Sequence, residues 1–159
     1  MPSITSYLIT EHAVFSALFD EIEQVLAEAQ TVGEVNRLAR LVESVLNRHG
    51  HIEADLAFSA LDHRLAEEGH LNQLHQDHDE IDDHLLRART SQDFAEAVRL
   101  LRKAIKTSRI HFRREEHTVF PLFEEIFHPE SLEVLGNTTL QSYLTAGRAA
   151  GENQPGRRA

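Results

Sequence analysis

Apolar residues recur at steps of three and four along most of the chain, the period of an amphipathic helix. The first stripe runs Ile4, Leu8, His12, Phe15, Phe19, Ile22 and Leu26. Thr31-Val32-Gly33-Glu34 is a capping-box pattern that opens a second helix. Its stripe is Val35, Leu38, Val42, Val45, His49, Ile52 and Leu56. This helix is expected to weaken near Ser59 and to end by Gly69, a natural helix stop. The third stripe is Leu71, Leu74, His78, Ile81 and Leu85.

Thr90-Ser91-Gln92-Asp93 supplies caps for a fourth helix. Its stripe is Phe94, Ala97, Leu101, Ala104, Ser108, His111, Glu115, Val119, Leu122 and Ile126. Pro121 should kink this helix or end its regular part, and Pro129 should stop it. A short helix is expected over 131–146, with Leu132, Leu135 and Leu140 as weak anchors. No segment sustains period-two alternation, so no sheet is expected. Short connections between four such helices predict an all-α, up-down-up-down four-helix bundle. The alternative is an irregular helical domain with steeper crossings. Residues 1–128 read as the bundle and 129–159 as a partly flexible C-terminal extension ending in a frayed tail.

Composition narrows the chemistry. The chain has 159 residues, no Cys and a net charge of −10. The absence of Cys removes disulfides, thiolate metal sites, Cys nucleophiles and iron–sulfur clusters. The acidic balance argues against nucleic-acid binding and anionic membranes, both of which need basic patches. Met1–Tyr7 has no signal-peptide pattern and no stretch reaches a membrane span, so a cytoplasmic location is expected. Metalloprotease, phosphate-loop, dinucleotide and hydrolase motifs are absent. Ferritin-like proteins need paired ExxH motifs, and Glu67-Glu68-Gly69-His70 at a helix end is a poor match. Histidine is the exception, at 11 of 159 residues.

In each of the four helices one His falls inside the apolar stripe: His12, His49, His78 and His111. Glu53 follows His49 by four residues, and Glu115 follows His111 by four. A four-residue step stacks two side chains on one helix face. Both carboxylates therefore point where the apolar stripe points. An unpartnered buried carboxylate costs several kcal/mol, so cations are needed among them. Imidazole and carboxylate together suit iron, manganese or zinc.

The pattern repeats: His12 precedes the first HxxxE by 37 residues and His78 precedes the second by 33. The flanks also match, Glu11-His12-x-x-Phe15 against Asp77-His78-x-x-Ile81. Two half-sites favour two metals, with Glu53 and Glu115 as bridges. Two six-coordinate irons offer roughly twelve positions; two bridging Glu, four His and one bridging oxide or hydroxide leave about two open. Dioxygen, peroxide or nitric oxide could bind there. His75 and Asp82 are candidates for a further ligand, and Glu116 competes with Glu115.

His51, His63, His70, His84, His117 and His128 are expected to be mostly solvated. Phe15, Phe19, Phe94, Phe112 and Phe120 are expected in the core, with Tyr7 one turn or so from His12.

The ordered set His12, His49, Glu53, His78, His111 and Glu115 resembles the hemerythrin-like, or HHE cation-binding, family. So does the run from His111 through Glu115-Glu116 to Phe120-Pro121. The resemblance covers about Ile4 to Phe127. It implies a four-helix bundle around a non-heme di-iron centre. The implied activities include dioxygen carriage, oxygen or iron sensing, peroxide decomposition and nitric-oxide-related repair. The departures shape the expectation. Oxygen-carrying hemerythrins have five His, two of them four residues apart on the third helix, where this chain has Leu74 and Asp82 around His78. Their final carboxylate lies five residues after the last His, a spacing that would select Glu116. Phe58-Ser59 stands where the family often has Phe-Pro, and the cysteine-bearing segment of the repair relatives is missing. The chain therefore resembles the bacterial HHE type. The expectation is a protein that binds or senses dioxygen or a related small molecule. An enzyme acting on peroxide or nitric oxide, or an iron store, is the alternative.

Overall fold

The computed structural model describes residues 2–53 and 69–152. Six α-helices and one π turn account for nearly all of them, and no described residue lies in a strand. They are α1 (Ile4–Glu28), α2 (Val32–Glu53), α3 (Leu71–Thr90), α4 (Phe94–Arg114), α5 (Phe120–Ile126) and α6 (Pro129–Glu152). The π turn, Glu115–Val119, joins α4 to α5.

The starts follow local chemistry. Ser3 Oγ accepts from the Ser6 N–H at the head of α1. At α2 the capping box closes both ways: Thr31 Oγ1 accepts from the Glu34 N–H at 3.3 Å, and Glu34 Oε2 accepts from the Thr31 N–H at 2.8 Å. Asp93 caps α4 by accepting from the Glu96 N–H. Each cap is worth about 1 kcal/mol. Gly69, the expected stop, has φ +78°, the left-handed region that glycine enters without a Cβ penalty. The expected weakening at Ser59, and Leu56, lie outside the described residues.

α3 packs on α4 and α2, α2 also touches α4, and α1 closes the bundle against α2 and α4. The α1 stripe is buried at every expected position. The α4 stripe is buried from Ala97 to Val119, but Phe94 at its start is 39% exposed, contrary to expectation. Phe94 is the first residue of its helix, before the stripe reaches the facing helices. Ile126 at the far end is also exposed.

The last third departs from expectation in three ways. Regular helix ends at Arg114, well before Pro121. Pro121 has no N–H to donate and crowds the carbonyl four residues back. The chain answers with a wider turn, in which the Phe120 N–H bonds the Glu115 carbonyl. Pro129 does not merely stop a helix. Phe127 is extended, and Pro129 starts α6, where a missing N–H costs nothing. α6 is longer than the short helix expected, at 24 residues. It lies along α1, with Leu132 and Thr139 buried. Gly136 meets the Pro2 and Ser3 backbone so closely that a Cβ there would collide with the Pro2 carbonyl oxygen.

Two apolar clusters fill the interior. One contains Phe15, Phe19, Val42, Ile81, Leu101 and Phe112 among others. The second contains Ile4, Leu8, Leu74, Val119, Phe120 and Leu132 among others. Along α1 the order is Leu8, His12, Phe15; along α3 it is Leu74, His78, Ile81; from α4 into the π turn it is Phe112, Glu115, Val119. A buried polar layer therefore divides the two clusters.

Candidate metal centre

Six side chains form that layer. His12, His49 and His111 are 2–3% exposed, and Glu53 and Glu115 are fully buried. His78 is 36% exposed. In one half, His12 Nε2 and His49 Nε2 are 3.0 Å apart. His49 Nε2 lies 2.9 Å from Glu53 Oε1, and His12 Nε2 lies 3.4 Å from Glu115 Oε2. In the other, His78 Nε2 and His111 Nε2 are 2.8 Å apart. His111 Nε2 lies 3.0 Å from Glu115 Oε1, and His78 Nε2 lies 4.0 Å from Glu53 Oε2.

Two ligand groups result, each with its donor atoms within 4.8 Å of one another. The first is His12, His49, Glu53 and Glu115; the second is His78, His111, Glu53 and Glu115. Both carboxylates belong to both groups, turning one oxygen to each half.

The donor set fits metal ions. All four carboxylate oxygens of Glu53 and Glu115 are buried and accept no hydrogen bond, although imidazole nitrogens stand close by. The nitrogens are near the oxygens without being aimed at them, because nitrogens and oxygens converge on shared space. Buried acceptors left this way cost several kcal/mol unless a cation supplies the missing partner. Nitrogen and oxygen donors of this kind suit iron, manganese or zinc.

Without an ion, protons must provide the positive charge. Burial opposes a charge on His12, but Glu115 and Glu53 outweigh it and raise its pKa to about 9. Burial likewise opposes His49, yet Glu53 and Glu11 bring it to about 10. Glu53 is held well below the usual carboxylate range: burial works against ionisation, and His49 and His12 overcome it. His78 goes the other way, lowered by burial and by His111.

Behind the ligand atoms, carboxylates hold the ring Nδ1 atoms. Glu11 Oε2 is 2.9 Å from His49 Nδ1, Glu116 Oε1 is 2.9 Å from His12 Nδ1, and Asp77 Oδ2 is 3.4 Å from His111 Nδ1. Tyr7 donates to Glu11, and Arg114 pairs with Asp77. Such partners set ring orientation and raise ligand basicity. Glu11 and Asp77 precede His12 and His78 in the matched flanks, but each serves a His on the following helix. The repeat was visible in sequence; the cross-helix pairing was not, because it depends on ring orientation.

The remaining candidates fall outside the ligand groups. His75 is exposed on α3. Glu116 joins neither ligand group and instead accepts from His12. Asp82 stands at a cavity of about 300 Å³ that also reaches His78, Ile81, His111 and Phe112. Burial raises the Asp82 pKa. His51, His117 and His128 are exposed and His70 half-buried. His84 is not solvated as expected: it is buried, one turn after Ile81 and beside Leu85. His63 lies outside the described residues.

The model of the Hemerythrin HHE cation binding domain matches residues 3–123. The chain belongs to this family. The match runs from the head of α1 into α5 and spans every residue of the two ligand groups. Comparison with curated proteins and with solved structures gave no match. The HHE assignment and the buried His/Glu cluster together identify a cation-binding site in a helical bundle. No helix among the described residues is long and apolar enough to cross a membrane.

Proposed function

We propose that this HHE chain is a non-heme di-iron protein that binds or senses dioxygen or a related small molecule. The observation that carries the reading is the sharing of Glu53 and Glu115 between two His pairs, with all four oxygens buried and lacking hydrogen-bond donors. Two iron ions, with an oxide or hydroxide between them, would supply redox chemistry and open coordination positions. His12, His49, His78 and His111 would hold them as terminal donors, and Glu53 and Glu115 as bridges. The protein supplies a dry layer on the His12 side, where Phe112 stacks on His12 at 4.1 Å. Next to His49, Glu53, His78 and His111 it supplies a cavity large enough for a diatomic molecule or peroxide.

A second reading is turnover of peroxide or nitric oxide. It draws on Asp82, a carboxyl at the edge of that cavity and within reach of proton exchange with a bound molecule.

Elemental analysis after expression with iron supplied tests the first claim. About two iron ions per chain are expected, and fewer than one bound transition metal per chain would sink the di-iron reading. Reversible change of the visible spectrum on removing oxygen favours binding or sensing. Rapid gas evolution from peroxide favours the second reading.

A further inference from the structure

The outer face of α3 and α4 is divided lengthwise by charge. α4 holds seven of the chain's 16 Lys and Arg residues within 21 positions, although the whole chain carries −10. Arg99 pairs with Glu96, Arg109 with Asp20 and Glu23, and Arg114 with Asp77. Arg102, Lys103 and Lys106 are exposed and enter no ion pair among the described residues. On α3 the exposed residues Asp79, Glu80 and Asp83 are acidic. Each row also has an apolar end. Leu86 on α3 is 48% exposed. On α4, Phe94, Ala95 and Val98 line a hollow of about 590 Å³ rimmed by the basic side chains.

The two rows match in height. α3 and α4 are consecutive, antiparallel helices. Thr107 donates to Glu80 at 3.4 Å, and Arg87 reaches Glu96 at 3.3 Å. These ties set Asp79 level with about Lys106, Asp83 with about Lys103, and Leu86 with about Val98 and Arg99. Asp79, Asp83 and Leu86 follow one another by steps of four and three, as do Arg99, Lys103 and Lys106, so each set forms a line along its helix.

A two-fold axis parallel to the helices, lying in the interface between the two lines, exchanges left and right but preserves height. It therefore lays each acidic line on a basic one, and each Leu86 over the apolar hollow of the other copy. Such an interface is isologous and closes at two subunits. An acidic peptide would use only the basic line and leave the α3 acids and Leu86 unmatched. At physiological salt the Debye length is about 8 Å, so the facing lines, rather than the net charge, govern the contact. Two helices of about 30 Å by about 10 Å present about 600 Å² per copy, and about 1,200 Å² in total lies at the lower end of stable interfaces. We propose that the α3–α4 face is the docking surface for a second copy of this chain, with α3 of each copy on α4 of the other.

The test is sedimentation equilibrium of the full-length chain. A monomer–dimer equilibrium is expected, between 18.1 kDa and twice that mass, with a dissociation constant on the order of micromolar. Raising NaCl from about 0.15 M to about 1 M weakens it about tenfold. Leu86→Ser also weakens it about tenfold. Lys103→Glu/Lys106→Glu and Asp79→Lys/Asp83→Lys are each monomeric alone. Mixed in equal amounts they form a heterodimer, because each reversed line then meets an opposite one in both halves of the interface. Circular dichroism melts check that both variants fold; should either fail, Lys106→Glu and Asp83→Lys make the same exchange singly.

A wild-type chain that stays monomeric up to about 1 mM overturns the inference. So does a dimer indifferent to both double substitutions, or a pair of folded variants that stays monomeric when mixed. A monomer that binds phosphatidylglycerol vesicles or a poly-Glu peptide, and loses that binding in Lys103→Glu/Lys106→Glu, also overturns it and gives the basic line to another anionic partner.

Discussion

If His12 and His49 bind metal as proposed, protons and metal ions compete for the same ring-nitrogen lone pairs, and pH sets the winner. Both imidazoles have folded pKa values raised above the usual 6.5, to about 9 and about 10. Their contribution to metal-free stability is therefore complete below 6.5 and disappears as pH rises through those values. Glu53 is depressed below the usual 4.5, so its contribution is present above 4.5 and is lost on acidification. Thermal melts in the presence of a chelator should show a stability maximum between these usual values, about pH 4.5–6.5, and a decline towards pH 10. Metal affinity should run the other way, rising with pH as the imidazoles shed their protons. A metal-free melting temperature that stays flat from pH 6 to 10 would remove the proton-for-metal exchange. At this scale the convergence of His12, His49, Glu53, His78, His111 and Glu115 was readable in sequence, because each interrupts an apolar stripe and must face the interior. His84 was readable in principle, since it lies on the buried stripe from Ile81 to Leu85.

Among the elements, the capped starts of α2 and α4 were legible because a cap is a local transaction between residues three apart. The π turn was not, because a proline marks a disturbance without saying where the helix absorbs it. Here the disturbance is absorbed at Glu115–Val119. That turn carries Glu115, which belongs to both candidate metal groups, and the His12 partner, Glu116. α6 was under-read for a related reason: its hold on α1 depends on a close approach at Gly136, which leaves no hydrophobic signature. Gly136→Ala forces a Cβ into the Pro2 carbonyl, and overpacking of this kind costs about 1–3 kcal/mol. The denaturant midpoint should fall accordingly. An unchanged or higher midpoint would mean that the helices separate without penalty.

For the whole molecule, a cation held in the buried layer would tie together the four helices that carry His12, His49, His78 and His111. Ligand binding at about 1,000-fold above the dissociation constant stabilises a protein by about 4 kcal/mol, equivalent to roughly 8–16 °C for a chain of this size. Removing metal with a chelator should lower the melting temperature by that order; a shift below about 2 °C would show that the ions bind without bracing the fold. The helical bundle was legible from the stripes, whereas the partition of its interior into two clusters was not, because each stripe looks continuous along its own helix. That partition bears on cooperativity. The clusters meet across a layer of His and Glu, where direct apolar contact is sparse and the attraction is electrostatic. Loaded with metal, this layer is a weld, and the bundle melts as one unit. Stripped and carried above pH 10, it becomes a seam of uncompensated carboxylates. The Phe19 end and the Phe123 end then melt in separate steps, and the single transition divides into two.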